Sequence, residues 1–240
     1  EGLGALDVAQ RHFARVNFDL IYARPGQGIE DWEAERARAI RFGTDHLSLY
    51  QLTIEPGTRF ETMARKGDFV PMDGDEAAAL YELTQDMTMA AGIAAYEVSN
   101  HARTGQQSRH NLTYWRYGDY VGIGPGAHGR RGKMATTRHK KPENWMEAVT
   151  RNGHGCQSET PLGDQERASE ALLMGLRLAE GVDPDHISTI TGIGRNALFD
   201  TAAITRMERL GLMRTTPNRI TVTPKGMLLL DAILAEVVAV

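Results

Sequence analysis

The sequence predicts an α/β protein, and the strand and helix patterns near its beginning indicate this class. An apolar, β-favouring segment at 16–22 is followed by a helical segment at 30–42 and by a second strand at 46–52. The turn-forming residues Arg24-Pro25-Gly26 and Glu55-Pro56-Gly57-Thr58 end the two strands. A strand–helix–strand unit with short connections places two parallel strands side by side, in a sheet or a barrel segment. Because two strands do not complete such a sheet, we expect the others upstream of Glu1.

The middle of the chain continues the mixture of helices and strands. A helix is predicted from Asp75 to Ala91, with Asp73 near its start and Gly92 at its end. A short strand at 94–98 leads into a glycine-rich, basic region, and Pro142 opens a further short helix. These elements predict an α+β region between the first unit and the end of the chain.

The last third of the chain has the element order of a winged-helix module. Helices are predicted at 164–180, after Asp183-Pro184 and at 195–210, followed by a hairpin at 212–224 and a final apolar helix. A DNA-binding module needs a cationic surface, but residues 164–240 hold eight Lys or Arg against ten Asp or Glu. We therefore interpret this module as structural or partner-contacting, and we expect no nucleic-acid partner.

Composition limits the remaining classes. The 240 residues are 41% hydrophobic and 24% charged, as in an ordinary globular protein, with no apolar segment of membrane-spanning length and no signal peptide. The single cysteine, Cys156, excludes a disulfide framework and fits a reducing cytoplasm. It also excludes a metal cluster held by several cysteines of this chain.

One block carries most of the functional information. It begins with RHNLTYW (109–115) and continues to the glycine-rich GIGPGAHG (122–129), and we expect it to be loop. The block lies in a basic stretch, residues 101–141, which has nine Lys or Arg and one acidic residue, although the whole chain has a net charge of −4. Exposed histidine, aromatic and cationic groups suit a flat, anionic, metal-bearing ligand.

The same stretch contains four histidines, His101, His110, His128 and His139. Neutral imidazole binds iron, aromatic rings cover a macrocycle, and Arg or Lys pairs with carboxylates. His110 is the leading candidate ligand, with Asn111 and Tyr114 as groups that would orient it. The alternative, in which His110, Tyr114 and Trp115 only pack this segment against the rest of the protein, stays open.

The glycines of the block formally match G-x-G-x-x-G at 124–129. A dinucleotide site needs a helix to begin directly after this motif, so that its N-terminus faces the pyrophosphate. Here Arg130-Arg131-Gly132-Lys133 follows, without apolar periodicity. We expect these glycines to permit tight backbone turns and not to bind a dinucleotide.

A carboxylate inside the first apolar strand, Asp19, is the second candidate. A charged group buried in a strand usually has a partner or a function. At the mouth of a barrel it would accept hydrogen bonds from a ligand's hydroxyl or amino group. A salt bridge to a nearby arginine is an equally good explanation from spacing alone.

Five segments, in this order and spacing, resemble the HemW-type haem chaperones of the radical S-adenosylmethionine group: FDLIYARPGQ (18–27), LSLYQLTIEPGTRF (47–60), YEVSNHA (96–102), RHNLTYW (109–115) and DYVGIGPGAHG (119–129). The resemblance continues to Val222-Thr223-Pro224-Lys225-Gly226. The chain departs from the family at Ala23 and Arg24, where the family commonly has Gly-Leu.

The resemblance implies a fold and a division into three parts. Residues 1–60 would form the last two strands of a partial (β/α)6 radical S-adenosylmethionine barrel. Residues 61–162 would be an α+β connecting region that carries the basic block. Residues 163–240 would be a HemN-type helical C-terminal domain with a winged-helix-like end. The family's Cys-x-x-x-Cys-x-x-Cys loop would lie upstream, so no cluster cysteine is expected in this chain.

The resemblance also implies ligands and residue roles. Asp19 corresponds to the barrel aspartate that contacts S-adenosylmethionine, and His110 to the histidine of the haem-associated motif, as a candidate ligand of the haem iron. Asn111, Tyr114 and Trp115 would shape the haem pocket. Haem is the expected cofactor of these residues, whereas S-adenosylmethionine and a [4Fe-4S] cluster are expected only with the upstream part.

The function implied is a cytoplasmic haem chaperone that binds haem and transfers it to a recipient haem protein. A membrane-associated protein is one candidate recipient, and a homodimer is one candidate form of the chaperone. The alternative is the enzyme of the same group, the oxygen-independent coproporphyrinogen III oxidase (dehydrogenase) of porphyrin biosynthesis. The HNLTYW block favours the chaperone.

Overall fold

The computed structural model describes residues 2–240, which divide into two compact units between Ser108 and Arg109. None of the described helices is long and apolar enough to cross a membrane. Each unit has its own β-structure, and each carries one of the two candidate sites named by the sequence.

The first unit has four helices and four strands. They are α1 (Gly2–His12), β1 (Asp19–Tyr22), α2 (Ile29–Arg41), β2 (His46–Gln51), α3 (Arg59–Lys66), α4 (Gly74–Ala90), β3 (Ala94–Ala95) and β4 (Asn100–Ala102). The sheet order is β1-β2-β4-β3; β1 and β2 are parallel and the other pairs are antiparallel. The predicted strand–helix–strand unit is therefore present, but the strand predicted at 94–98 is two residues long and a further strand follows it.

The core of this unit lies between the sheet and helices α2 and α4. Trp32 of α2 is fully buried, stacks on Tyr22 with ring centroids 4.8 Å apart, and donates its indole N–H to Thr84 Oγ1 at 2.9 Å. Leu47 and Leu49 alternate along β2 and face the same core. The opposite face of β1 and β2, with Asp19 and Ser48 in register, is consequently turned away from these helices.

The end of β1 is strained at the position where the chain departs from the family that it resembles. Ala23 is buried and has a φ of +56°, a left-handed conformation that glycine adopts without steric penalty. The next residue, Arg24, pairs with Glu35 of α2 and also donates to the carbonyl of Ile21. The Arg24 contacts hold the turn after the strand although Ala23 is unfavourable there.

The second unit begins with α5 (Arg109–Trp115), followed by a three-stranded sheet, helices and a small hairpin. Its other elements are β5 (His128–Arg131), β6 (Met134–Arg138), α6 (Pro142–Asn152), β7 (Cys156–Pro161), α7 (Asp164–Gly175), α8 (Pro184–Thr191), a 3-10 turn (Arg195–Ala197), α9 (Thr201–Arg209), β8 (Met213–Thr215), β9 (Ile220–Val222), α10 (Pro224–Met227) and α11 (Leu230–Val237). Strands β5, β6 and β7 pair antiparallel in that order, and β8 pairs with β9.

Capping residues set the helix boundaries in this unit. Asp183 accepts hydrogen bonds from the amides of Asp185 and His186 at the start of α8. The helix predicted at 195–210 is divided, because Asp200 caps a new helix, α9, by accepting from the amide of Ala203. The helix predicted at 164–180 ends at Gly175. The elements nevertheless follow the order that the sequence predicts.

Candidate functional site

The segment RHNLTYW is a helix, α5, and the prediction that it is loop was wrong. The seven residues place His110 and Tyr114 one turn apart, with ring centroids 5.5 Å apart in an edge-on arrangement. Tyr114 also contacts Trp115 and Tyr120, with centroids at 4.9 and 6.2 Å. The structure therefore brings the candidate histidine and three aromatic rings together in one cluster.

The cluster has an exposed and a half-buried side. His110 is exposed, whereas Asn111, Tyr114 and Trp115 are half-buried. An exposed imidazole supported on its edge by a tyrosine ring is accessible to a large planar ligand. Tyr114 contacts the edge of the His110 ring, and Asn111 lies next to His110 on the same helix. The orienting roles of both residues stay predictions.

Ionic and aromatic contacts fix the C-terminal end of α5. Arg116 forms two hydrogen bonds to Glu180, at 2.7 and 2.8 Å. The guanidinium of Arg177 lies over the ring of Trp115 at 4.9 Å from the centroid, in cation–π geometry. The hydrogen bonds of Arg116, followed by its charge, lower the pKa of Glu180 against the effect of burial.

A second anchor follows one residue later. The hydroxyl of Tyr117 donates to Glu170 of α7 at 2.7 Å, and the same carboxylate accepts two hydrogen bonds from Arg130 at 3.0 and 2.6 Å. Burial and the bond to Glu170 raise the pKa of Tyr117. Burial alone would raise the pKa of Glu170, but the bonds from Arg130 and Tyr117 outweigh it and lower that pKa. Tyr117 has a φ of +57°, so this contact holds a strained residue.

Sequence reasoning missed both anchors. Their acidic partners lie 53 and 64 residues further along the chain and belong to no recognisable motif. The signal that existed was charge complementarity, since the basic stretch is followed by a region with an acidic excess.

The same pairing changes the interpretation of the basic stretch. Five of its nine cations form ion pairs with acidic residues outside it: Arg103–Asp45, Arg116–Glu180, Arg130–Glu170, Arg131–Glu159 and Lys133–Asp164. Within residues 2–240, the four cations for which no ion pair is found are Arg109, Arg138, Lys140 and Lys141. The cationic surface is therefore smaller than the sequence suggests.

The glycine-rich segment is structural. A Cβ at Gly122 would lie 2.2 Å from the carbonyl oxygen of His128, and one at Gly129 would lie 2.7 Å from Thr136 Oγ1. The segment leads into strand β5 and not into a helix. This geometry confirms the prediction that these glycines allow close contacts, and the helix that a dinucleotide site needs does not follow them.

Trp115 also lines a cavity of about 290 Å³ in the second unit. Leu178, Val182 and Ile187 are apolar residues of its lining, which also includes Arg219. The indole nitrogen of Trp115 is buried and has no hydrogen-bond partner within the described residues. His110 and Tyr114 do not line this cavity, which is at the lower limit of small-molecule pockets.

The four histidines of the basic stretch differ in burial and are divided between the two units. His101 is fully buried in the first unit, and burial lowers its pKa to about 4. His110 and His128 are exposed in the second unit and His139 is half-buried. Within residues 2–240, no group of three or more His, Cys, Asp or Glu side chains has a metal-binding arrangement.

Asp19 differs from expectation in two respects. It is exposed, so the premise of a buried carboxylate was wrong. It also opens β1 and does not lie at the carboxyl end of the strand, where barrel sites usually form. In the described part of the chain it forms no salt bridge; instead Oδ1 accepts from Asn17 Nδ2 at 3.0 Å. The arginine partner considered from the sequence is therefore absent among these residues.

Comparison with known proteins identifies the family. The model of the HemN C-terminal domain matches residues 162–229. The mouse protein named "Radical S-adenosyl methionine domain-containing protein 1, mitochondrial" is 42% identical over 180 residues, covering 72% of this chain and 41% of the mouse protein. Heme chaperone HemW from Mycobacterium tuberculosis is 33% identical over 229 residues, covering 95% of this chain and 56% of the relative. The chain belongs to the HemW-type radical S-adenosylmethionine proteins.

The fold comparison agrees with this assignment. The solved structure of coproporphyrinogen III oxidase (HemN) from Escherichia coli, described as a radical SAM enzyme, matches 97% of this chain and 57% of that chain, with a TM-score of 0.75. At 18% identity this match shows the fold alone, and it confirms the α/β class predicted from the sequence. The chain spans about half the length of the curated relatives that it matches.

The residues of this HemW-type chain fit haem better than they fit an iron–sulfur cluster. Cys156 is its single cysteine, and a cluster held by three thiolates does not fit such a residue set. His110, in contrast, is an exposed imidazole, a group that commonly holds haem iron, and it has aromatic neighbours.

Proposed function

We propose that this protein binds haem through the α5 surface and transfers it to a recipient haem protein. The observation that carries the proposal is the exposed His110 beside Tyr114 and Trp115 on a helix that is anchored at its C-terminal end. Neutral imidazole coordinates the iron, the aromatic side chains contact the macrocycle, and cations pair with its carboxylates. Asn111 completes the proposed pocket.

The exposed position of His110 supports transfer of haem to another protein in preference to its permanent storage. The histidine lies outside the 290 Å³ cavity and on an exposed surface, so haem would be bound from one side. One-sided binding leaves the other face of the haem accessible to a histidine of the recipient protein. Arg109, Lys140 and Lys141 are cations without an ion pair in the described residues, and they are candidates to hold the propionates.

In the complete protein, we propose that Asp19 contacts S-adenosylmethionine. Its exposed carboxylate lies on the same sheet face as Ile21 and Tyr50, which pair in register and are 48% and 41% exposed. An anionic acceptor beside apolar and aromatic surface fits a ligand that combines an amino group with an adenine ring. S-adenosylmethionine would supply radical chemistry together with a cluster held elsewhere in the protein.

The likenesses to proteins named heme chaperone support the chaperone function and its partners. We further propose a cytoplasmic location, consistent with the single cysteine, and a homodimer as one form of the protein. The recipient is a haem protein, with a membrane-associated one included.

Two assays on the protein from its complete gene test this function. In the first, haem-loaded protein is mixed with an apo haem protein, and appearance of the acceptor's absorption spectrum is the expected result. In the second, decarboxylation of coproporphyrinogen III is measured with S-adenosylmethionine and a reductant, and no product is expected. Decarboxylation without haem transfer would instead support the coproporphyrinogen oxidase function.

A further inference from the structure

A hydrogen-bond network surrounds Asp19 on the sheet face that points away from the helices. Asn17 is its junction, because its amide nitrogen donates to Asp19 Oδ1 at 3.0 Å and to Ser48 Oγ at 3.1 Å. The amide oxygen of Asn17 lies 2.8 Å from Nδ1 of His46, whose Nε2 lies 2.8 Å from the hydroxyl of Tyr96. The network therefore connects the residues before β1 with β2 and with the segment before β4.

The carboxylate of Asp19 determines the proton positions in the first branch. An ionised carboxylate only accepts, so the Asn17 side chain must point its NH₂ group towards Asp19 and its oxygen towards His46. That oxygen also only accepts, so Nδ1 of His46 must carry a proton. In neutral His46, Nε2 is then the acceptor for the Tyr96 hydroxyl.

The carboxylate of Glu97 determines the second branch in the same way. Its Oε1 accepts from Asn100 Nδ2 at 2.5 Å, which directs the amide oxygen of Asn100 towards Ser48. The Ser48 hydroxyl donates to that oxygen at 2.8 Å, so its lone pair is available to accept from Asn17. Both branches thus require the same orientation of the Asn17 amide.

The hydrogen-bond network has a buried part and an exposed part. His46, Ser48, Glu97 and Asn100 are buried. Asn17 and Asp19 are exposed, and no hydrogen bond to the second oxygen of Asp19, Oδ2, is found in the described residues. A group at the exposed end therefore takes its orientation from partners that cannot rearrange without losing buried hydrogen bonds.

We infer that Asn17 is a positioning residue for Asp19: it holds Oδ1 and leaves Oδ2 to accept a hydrogen bond from the ammonium or hydroxyl group of a nucleoside-derived ligand. His46 and Ser48 act through Asn17 by fixing the orientation of its amide. The inference rests on the proposed contact between Asp19 and S-adenosylmethionine, but the network itself is tested without ligand.

The first experiment reads the network by NMR of ¹⁵N-histidine-labelled protein from the complete gene. The expected result is the Nδ1–H tautomer at His46, opposite to the Nε2–H form that free histidine prefers. Asn17→Ala should shift His46 towards Nε2–H, and the exposed Asn218→Ala should leave it unchanged. An Nε2–H tautomer in the unaltered protein, or no response to Asn17→Ala, overturns the assigned network.

The second experiment measures S-adenosylmethionine affinity by calorimetry, without reductant, for Asn17→Ala, Asp19→Ala and the double variant. Asn17→Ala should weaken binding about tenfold, as expected for loss of one charge-assisted hydrogen bond, and should add nothing in the Asp19→Ala background. Fully additive losses overturn the positioning role of Asn17. Unchanged affinity in Asp19→Ala instead removes the proposed role of Asp19, whatever the tautomer of His46.

Discussion

The Asp19 face and helix α5 carry the two candidate sites, and different interactions hold them in place. Around Asp19 the partners are mostly neutral groups, the amides of Asn17 and Asn100 and the hydroxyl of Ser48, in contact with neutral His46. Helix α5 is anchored by ionic contacts, from Arg116 to Glu180 and through Glu170 to Arg130.

This difference predicts that acid destabilises the two regions in different pH ranges. As the pH falls, a buried neutral histidine destabilises the fold, because the unfolded chain takes up a proton that the folded state cannot. Paired carboxylates become destabilising only at lower pH, where they must be protonated. The first unit, which carries Asp19, and the anchors of α5 should therefore lose stability in different pH ranges, and the predictions below use this contrast.

The largest effect is expected in the first unit between pH 6.5 and pH 4. Burial lowers the pKa of His101 from 6.5 to about 4, and burial also lowers the pKa of His46. Because the pKa of His101 is lower in the folded protein than in the unfolded chain, the free energy of unfolding is highest above pH 6.5. It falls as the pH is lowered from 6.5 to 4. At 1.36 kcal/mol per pKa unit, His101 accounts for about 3 kcal/mol.

This loss is measured by urea unfolding at several pH values, with Trp115 and Trp145 replaced by Phe so that Trp32 reports on the first unit. His101→Phe removes this buried titratable group and should remove most of the pH dependence in this range. The exposed His128→Phe is the control and should not change the profile. A His101→Phe profile as steep as the original would contradict the assignment.

The next largest effect concerns the anchor of α5. Glu170→Ala leaves Tyr117 and Arg130 without their shared acceptor, and we expect a loss of about 2 kcal/mol in the free energy of unfolding. Since the pKa values of Glu170 and Glu180 are lowered from 4.5, this contribution is present above pH 4.5 and is lost below it. Urea unfolding at pH 7 measures the loss.

The matched control for this variant is Glu166→Ala, an exposed position on the same helix. It should change the unfolding free energy by no more than about 0.5 kcal/mol. Equal losses for the two variants would show that Glu170 contributes only as a helix residue and not as an anchor.

The smallest effect is expected at the end of β1. Ala23→Gly relieves the left-handed conformation at φ +56° and should stabilise the protein by about 1 kcal/mol. Ala34→Gly, on the exposed side of α2, should destabilise it by about the same amount. The midpoint temperature of thermal unfolding should therefore rise in Ala23→Gly and fall in Ala34→Gly. Shifts of the same sign would show that Ala23 is not strained.

Local patterns predicted most of the fold but only part of the site. The segment at 16–52 has apolar periods, turn residues and caps that specify a strand–helix–strand unit without long-range information. Helix α5 has only seven residues, too few to be stable alone, and contacts from Arg116 and Tyr117 to α7 and beyond stabilise it. Such contacts leave no local signal, which is why this helix was predicted as loop.

The same reason explains the misjudged charges and the exposure of Asp19. A run of basic residues forms a cationic patch only if no acidic residues lie close to it in the folded protein. Here folding places acidic partners beside five of the nine basic residues. An apolar strand predicts burial on both faces, but β1 buries only the face that carries Tyr22 against α2.

The central claim, that α5 presents His110 to haem, is tested most directly by haem titration of the protein from its complete gene. His110→Ala is compared with His128→Ala, a second exposed histidine of the same unit, by absorption spectroscopy at pH 7.5. We predict that His110→Ala weakens haem binding at least about tenfold and shifts the Soret band, whereas His128→Ala changes neither. Unchanged affinity and an unchanged spectrum in His110→Ala would contradict the claim.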